Sequence, residues 1–159
     1  MYYTGAIKTY IDRYTGRIFT EVASADYWFD GSNCNELEIY DFQTVTSLKE
    51  YDSFGNLIYT YESTDWELLP LNTLPKNRIR MIYGQFAGYR YKVTGKLGYS
   101  VTCPDDIEYA AQLITENLSA QPGGLQSENI EGYSYTIGNV VDSNPVVKGI
   151  LDSYKKILI

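Results

Sequence analysis

The side chains of this chain that could do chemistry are almost all carboxylates. Twenty Asp and Glu stand against thirteen Lys and Arg in 159 residues, and there is no histidine. Without imidazole, a Ser-His-Asp triad and histidine metal ligands are excluded. No pair of carboxylates falls in an acid–base motif. Asp105 and Asp106 suit the positive end of a helix dipole, and the stretch from Asp41 to Asp52 lacks the oxygen spacing of a calcium loop. We therefore predict that the protein is not an enzyme.

The cysteines and glycines point to no cofactor chemistry. Two cysteines alone cannot make a zinc site. Cys34 lies near a predicted turn. Cys103 lies at a predicted helix start, where a small capping residue is favoured over an activated thiolate. The glycines of GYRYKVTGKLG stand at strand ends and form no phosphate-binding loop. The sequence predicts no metal and no cofactor.

Charge is distributed unevenly along the chain. Residues 1–75 hold four basic and twelve acidic groups, and residues 104–145 hold seven acidic groups and no basic one. Between them, residues 76–96 hold six basic groups and no acidic one: Lys76, Arg78, Arg80, Arg90, Lys92 and Lys96. Arg78 and Arg80 are two residues apart, as are Arg90 and Lys92, so each pair points to one face of a strand.

Three interpretations of this basic segment remain open. It is a solvated polar face, a phosphate-binding patch that needs all six charges accessible together, or a contact between subunits. Opposite patches on one chain make head-to-tail contacts, which can close into rings. This last interpretation predicts an interface between basic residues of one copy and acidic residues of the next: Arg78, Arg80, Arg90, Lys92 and Lys96 against Asp105, Asp106 and Glu108. The net charge of −7 argues against a sequence-reading DNA binder.

Helical patterns occur towards the two ends of the chain. Thr4 can cap a first helix that stops at Gly16 and carries an apolar stripe of Ile7, Tyr10, Ile11 and Tyr14. Pro104 suits the first position of a second helix, whose stripe is Ile107, Ala110, Ala111, Ile114 and Leu118. Asn144-Pro145 opens a third helix over about 146–157. Two strand-like pieces are predicted between the last two helices, at about 126–130 and 133–137.

Residues 19–101 have the pattern of short strands separated by turns, about seven in number. Asp30-Gly31-Ser32-Asn33 is a turn signal, and Ser53-Phe54-Gly55-Asn56 predicts a hairpin between VTSLKEY and LIYTY. NRIRMIY and YRYKV are predicted to pair with each other. The sequence therefore predicts an α+β protein. A small core of three helices, from residues 1–18 and 102–159, carries an inserted antiparallel β-rich lobe at residues 19–101.

Tyrosine is unusually frequent, at 17 of 159 residues. Tyr favours strands and is enriched at interfaces, where one end of the side chain is apolar and the other wet. The tyrosines are interpreted either as residues of a half-buried sheet or as an extended protein–protein surface.

Several segments, taken in order, carry a resemblance to a known family. They are IDRYTGRIF, YWFDGSN followed by ELEIYD, the hairpin VTSLKEYDSFGN, the strand-to-helix segment YKVTGKLGYSVTCPDDIEYAAQLI, SENIEGYSYTIG and LDSYKK. Together they resemble the head–tail connector (adaptor, head-completion) proteins of tailed bacteriophages, in the form with a β-domain inserted among the helices. The resemblance spans nearly the whole chain. Such proteins usually have further helical sequence before the YTGR segment, where only about a dozen residues stand here.

The resemblance implies a structural virion protein of the neck, between capsid portal and tail, assembled in the host cytoplasm. It implies a homo-oligomeric ring, commonly of twelve copies, that lies below the portal and extends the DNA channel. Its partners would be the portal protein and a tail, stopper or tail-completion protein. Genome DNA would pass without specific binding, which suits an acidic channel wall.

The resemblance also gives a role to the last residues, SYKKILI. The terminus of such a connector commonly reaches the portal. We therefore predict that Ile157, Leu158 and Ile159 fill an apolar groove of the portal while Lys155 and Lys156 pair with its acidic residues. The alternative is that the three apolar residues close the helical core, because Leu158 continues the stripe of the last helix.

A carbohydrate-binding β-domain is the competing functional class. Tyr2, Tyr3, Trp28 and Trp66 could offer flat stacking faces beside Asp and Asn partners. The chain shows no disulfide pattern, and its start does not have the pattern of a signal peptide, which argues against an extracellular module. No apolar run approaches the roughly 20 residues of a membrane span, so we predict no membrane contact.

Overall fold

The computed structural model describes residues 1–120 and 130–156, with side chains of α3 described from Thr136 onward. The described residues form four helices and six strands: α1 (Gly5–Thr15), β1 (Ala25–Asp30), β2 (Glu36–Tyr51), β3 (Leu57–Tyr61), β4 (Trp66–Leu69), β5 (Lys76–Met81), β6 (Arg90–Leu97), α2 (Asp105–Ala120), α3 (Ile130–Ser143) and α4 (Pro145–Tyr154). The α+β class is confirmed. None of these helices combines the length and the apolar character needed to cross a membrane.

The chain divides into two compact units. The helical unit comprises Met1–Arg17 and Cys103–Ile159, and the β unit comprises Ile18–Thr102. All six strands belong to one antiparallel sheet in the order β1-β6-β2-β5-β4, with β3 also paired to β2.

The long strand β2 organises the β unit because it pairs with three others. Phe42 lies opposite Leu97 of β6 and opposite Lys76 of β5, so these two strands flank β2 on opposite edges. The prediction that the segments of β5 and β6 pair with each other is therefore wrong. Both run antiparallel to β2 and hence parallel to one another, and strands that run parallel cannot be joined by a tight hairpin.

The hairpin predicted around Ser53-Phe54-Gly55-Asn56 is present between β2 and β3. The Asp52 carboxylate accepts hydrogen bonds from the backbone N–H groups of Phe54 and Asn56 at 2.9 and 2.8 Å. Gly55 has φ +87°, a conformation that L side chains rarely adopt, which explains why glycine stands there.

At one end of the β unit, β1, β6, β2 and β3 form a four-strand row. One rung across it joins Phe29, Tyr91, Glu50 and Tyr59, and the next joins Trp28, Lys92, Lys49 and Thr60. Tyr91, Leu48 and Val93 are fully buried on one face, which we call the inner face. The other face, with Trp28, Lys92 and Lys49, is the outer face.

The first two helices of the helical unit carry the predicted apolar stripes, but two details of their starts differ. Thr4 precedes α1 and its side chain makes no capping hydrogen bond, so the predicted cap is wrong. Helix α2 begins at Asp105, one residue after the predicted first position at Pro104. Ile7 and Ile11 of α1 are buried, and Gly16 ends the helix in a left-handed conformation at φ +69°. The stripe predicted for the second helix is buried in full on α2: Ile107, Ala110, Ala111, Ile114 and Leu118.

The prediction of three helices is wrong, because α3 occupies the region where strands were expected. The strand-like piece at 133–137 is helical, and most of the piece at 126–130 lies outside the described residues. From Thr136 onward, the buried residues of α3 are Ile137, Val140 and Val141. Their spacing of three and four is that of a helix face, whereas the alternation in Tyr133–Ile137 is that of a strand.

The last helix, α4, begins at the predicted signal. The Asn144 side chain accepts hydrogen bonds from the N–H groups of Val146 and Val147 at 3.1 and 3.2 Å, and Pro145 occupies the first helical position. Val147 and Leu151 are buried. The helix ends at Tyr154, three residues before the predicted end.

Candidate interaction surfaces

Arg78 and Arg80 share the carboxylate of Glu36 at the start of β2. Arg78 Nη1 lies 2.9 Å from Glu36 Oε2, and Arg80 Nε lies 3.0 Å from Glu36 Oε1. Arg80 Nη1 also lies 2.9 Å from Glu67 Oε1 on β4. The hydrogen bond with Arg80 lowers the pKa of Glu36 and raises that of Arg80. A cross-strand ladder of alternating charge therefore spans β2, β5 and β4.

Lys92 is enclosed by one carboxylate and two aromatic rings. Its Nζ lies 3.1 Å from Asp26 Oδ2 and 5.7 and 5.3 Å from the ring centroids of Trp28 and Tyr51. Hydrogen bonding raises the pKa of Lys92, with Tyr51 making the larger contribution and Asp26 the next. The ammonium group is therefore held at the outer face of the four-strand row.

The remaining basic residues of this segment differ in their contacts. Lys96 Nζ lies 2.9 Å from Glu21 Oε1, and Lys76 Nζ donates to the backbone carbonyls of Pro70 and Leu71. Arg90 makes no ion pair within the described parts of the chain. Five of the six basic residues are therefore partnered inside the β unit, and the six charges are not jointly accessible as a phosphate patch requires.

The acidic partners of these basic residues were missed in the sequence. Asp26 lies 66 positions before its partner Lys92 in the sequence. Glu36 and Glu67 lie 44 and 13 positions before their shared partner Arg80. Counting charges in consecutive blocks separates residues that the sheet register places opposite each other. Only the strand register could have identified these ion pairs, and that register follows from the pairing of β2 with both β5 and β6.

The predicted acidic residues of α2 also have contacts, within the helical unit. Asp106 accepts hydrogen bonds from the Tyr154 hydroxyl at 2.9 and 2.8 Å. Glu108 accepts from the backbone N–H groups of Tyr2 and Tyr3, and the terminal ammonium of Met1 lies 3.4 Å away. Burial alone would raise the pKa of Glu108, but these donors hold it below its ordinary value. Asp105 is exposed.

The residues predicted to dock on the portal are described only in part. The Lys155 ammonium lies 4.9 Å from the centroid of the Tyr14 ring, and the Lys156 N–H donates to the Thr15 carbonyl at 2.8 Å. The chain leaving α4 therefore lies against the end of α1. Ile157, Leu158 and Ile159 lie outside the described residues.

The Cys103 thiol gives no sign of activation. Burial raises the pKa of Cys103 to about 12, and the neighbouring Glu108 carboxylate adds to the effect. The thiol is therefore protonated at neutral pH, as a structural residue would be. Cys34 is exposed. Within residues 1–120 and 130–156, no group of three or more metal-ligating side chains is close enough together to hold an ion.

The four aromatic residues considered for carbohydrate stacking differ in their exposure to solvent. Tyr3 is buried and Trp66 is half-buried, whereas Tyr2 and Trp28 are exposed. The Trp28 ring lies 4.9 Å from that of Tyr51 in an edge arrangement, beneath the Lys92 ammonium. Trp28 therefore belongs to a packed cluster of the outer face.

The fold and its surfaces define a structural class: a four-helix unit and a six-stranded antiparallel unit whose basic strands are neutralised from within. The same fold occurs in particles that resemble bacteriophages. The chain is similar to one from the "Neck of empty GTA particle computed with C6 symmetry", where GTA is a gene transfer agent. The TM-score is 0.61 at 13% identity, covering 97% of this chain and 77% of that one.

Two further structures share this likeness. A chain of the "Virion of native gene transfer agent (GTA) particle" has TM-score 0.61 at 14% identity, with 97% of this chain and 76% of that one covered. A chain of the "Neck of native GTA particle computed with C12 symmetry" has TM-score 0.59 at 14% identity, with coverage of 97% and 81%. The sequence matches no protein-family model, and no curated protein is significantly similar to it.

Proposed function

We propose that this chain is a structural protein of the neck of a phage-like virion, where copies form a ring between the capsid portal and the tail. The observation that carries the proposal is the likeness in fold, over 97% of the chain, to a chain from a particle neck computed with twelvefold symmetry. The absence of an acid–base motif in the sequence agrees with a structural role.

In this proposal the ring is a dodecamer that extends the DNA channel below the portal. A net charge of −7 suits a channel wall, because an acidic surface does not retain phosphate by releasing counterions. Genome DNA then passes without specific binding, and the far side of the ring receives a tail, stopper or tail-completion protein. The ring is assembled in the host cytoplasm and kept in the virion.

We further propose that two surfaces predicted from the sequence serve this ring. The last residues dock on the portal, with Lys155, Lys156, Ile157, Leu158 and Ile159 as the contacts. Between subunits, Arg90 is the residue of the basic segment that makes no ion pair with the described residues, and Asp105 is its exposed acidic counterpart. The other predicted interface residues already have partners within their own copy. The basic ones, Arg78, Arg80, Lys92 and Lys96, would have to share their carboxylates with a neighbour. In the same way, Asp106 and Glu108 would have to accept from a neighbour in addition to their present donors.

The purified chain mixed with the portal protein of its own particle tests the proposal. We expect a complex with a whole-number ring of this chain on the portal, measured by mass photometry and seen as a ring in electron micrographs. Persistent monomer in the presence of portal, together with retention on a polysaccharide resin, would establish the carbohydrate-binding alternative instead.

A further inference from the structure

The four-strand row of the β unit has two free edges, β1 and β3. Strand β3 pairs with β2 alone, and β1 pairs with β6 alone. A free edge is a row of unpaired backbone N–H and C=O groups, which pairs readily with a strand of another chain unless something blocks it. The four-strand row therefore has two edges that are open to pairing with another chain.

The β3 edge lacks charged residues and prolines, two of the features that normally prevent pairing, although a bulge at Ile58 interrupts its register with β2. Leu57, Ile58 and Tyr59 are 53%, 47% and 51% exposed, and no charged residue or proline stands between Asn56 and Tyr61. Strand β1, in contrast, carries Asp26 and Asp30, and β4 has only four residues before Pro70. Among the described edges, β3 is the apolar one without a charge, whereas the carboxylates of β1 disfavour an acidic partner edge but not an uncharged one.

We infer that β3 of one copy adds antiparallel to β1 of the next copy, so that the four-strand rows join into one continuous sheet around the ring. This inference rests on the ring proposed above. The strand that pairs with β3 comes from a second copy because the β3 and β1 edges of one chain are complementary to each other.

Strand direction supports this pairing. Within one copy, β3 and β6 run antiparallel to β2, and β1 runs antiparallel to β6. Strand β3 is therefore antiparallel to β1 at the two ends of the row. Rotation about a ring axis places like rows side by side, so each β3 meets an antiparallel β1 of similar length, five residues against six.

Side-chain faces also match across the seam. Tyr59 and Tyr61 share the inner face with Tyr27 and Phe29, and Thr60 shares the outer face with Trp28. Aromatic cross-strand pairs stabilise antiparallel sheets. A slip of one residue would place every aromatic side chain on the wrong face, which favours a definite register.

The charges beside the two edges are complementary. Lys49 lies one strand behind β3, directly opposite Thr60, and Asp30 lies on the exposed β1 edge. Neither makes an ion pair in the described parts of the chain. Joined rows bring this lysine of one copy towards this aspartate of the next, which gives the seam an attractive electrostatic contribution.

Cysteine cross-linking in the portal-bound ring tests the pairing. The variant Asp30→Cys/Thr60→Cys, in a Cys34→Ser/Cys103→Ser background, is treated with a short bifunctional maleimide. Within one copy the two positions lie at opposite ends of the row and two residues apart along it. Their separation therefore exceeds three strand spacings, or about 14 Å, so the reagent joins them only between copies. We expect a ladder of multimers from the double variant and no cross-link from either single variant.

A second variant pair measures the dependence of assembly on this edge. Ile58→Asp places a charge on β3, and Ile82→Asp places the same charge at a residue of similar exposure outside the sheet, 44% against 47%. We expect Ile58→Asp to fold normally by circular dichroism and to reduce ring formation at least tenfold, with Ile82→Asp unaffected.

The outcomes separate this inference from the proposed function. Rings of the wild-type chain that give no ladder, or that persist in Ile58→Asp, overturn the β3–β1 seam and leave the ring standing. Dimers from Thr60→Cys alone show that β3 pairs with β3, which also overturns it. A wild-type chain that forms no ring with portal overturns the proposed function, and the seam with it.

Discussion

Arg80 and Glu36 lie directly opposite each other on β5 and β2, with Arg80 Nε 3.0 Å from Glu36 Oε1. The same guanidinium reaches Glu67 on β4 at 2.9 Å. One arginine thus links three strands, and its charge is directed along the sheet. This differs from a basic patch that faces a partner, and it separates the roles of residues that look alike in the sequence.

Arg80→Glu and Arg90→Glu should therefore have different effects. Arg80→Glu places three carboxylates together, so we expect a lower midpoint of urea unfolding for the β unit. This decrease in the midpoint should be smaller at low pH, where the carboxylates are protonated. Arg90→Glu should leave unfolding unchanged and weaken ring formation with portal. Unfolding curves and mass photometry measure the two effects. Equal loss of assembly in both variants at normal stability would instead assign the interface to the whole basic segment.

Ile114→Asp should unfold the helical unit. Ile114 is fully buried on α2, and an unpaired buried charge costs about 3–5 kcal/mol. The matched control is Val146→Asp on α4, where the side chain is 52% exposed and little change is expected. The helical signal in a circular-dichroism melt gives the comparison, and identical melts would contradict the packing of α2.

Substitution by alanine should change the stability of the protein in opposite directions at two glycines, Gly149 and Gly95. A Cβ at Gly149 meets nothing within 4 Å, so Gly149→Ala should stabilise α4 by up to about 1 kcal/mol. A Cβ at Gly95 would lie 2.1 Å from the Thr44 carbonyl, where the register of β2 with β6 shifts, so Gly95→Ala should destabilise the β unit. Denaturant unfolding measures both. A neutral Gly95→Ala would mean that β2 can move aside at its bulge.

Tyr91 should cause part of the loss of stability in alkali. Burial raises its pKa to about 12, above the ordinary value of 10, so the folded state holds the phenolic proton more tightly than the unfolded state. Its contribution is fully present below pH 10 and is lost as pH rises towards 12. Tyr91→Phe should unfold less steeply over this range, with Tyr83→Phe, 88% exposed, as control. Parallel pH profiles of Tyr91→Phe and the wild type would refute this assignment.

Removal of residues 157–159 tests the proposed portal contact. We expect a truncated chain with unchanged unfolding midpoint that no longer co-purifies with portal, because the apolar tips are gone while α4 remains intact. Lys155→Glu/Lys156→Glu should weaken the same binding in a salt-dependent way. A collapse of the helical unit on truncation would assign the three residues to its core, and full portal binding would end the docking hypothesis.

The sequence predicted the elements whose information is local. Gly16, Pro104 and Asn144 mark helix ends through backbone geometry and capping, and Gly55 marks a turn in the same way. The buried residues of α2 were identified because a helix repeats every 3.6 residues regardless of what it packs against.

The features that were missed depend on residues far apart in the chain. Adjacent segments were paired as β5 with β6, although β2 lies between them and contributes an edge to each. The strand prediction at 133–137 followed the strand propensity of alternating Tyr, which packing of Ile137 and Val140 overrides. The internal neutralisation of the basic strands depends on the register of β2, which no local pattern encodes.

The two ends of the β unit lie side by side. The Tyr99 N–H donates to the Ile18 carbonyl at 2.7 Å, and Thr20 bridges to Ser100. An 85-residue segment (Ile18–Thr102) that begins and ends at neighbouring points can be gained, lost or exchanged by recombination at one locus on the backbone. A short Gly-Ser linker in its place would therefore yield a minimal helical protein, and the excised segment could be grafted into a surface loop of an unrelated scaffold.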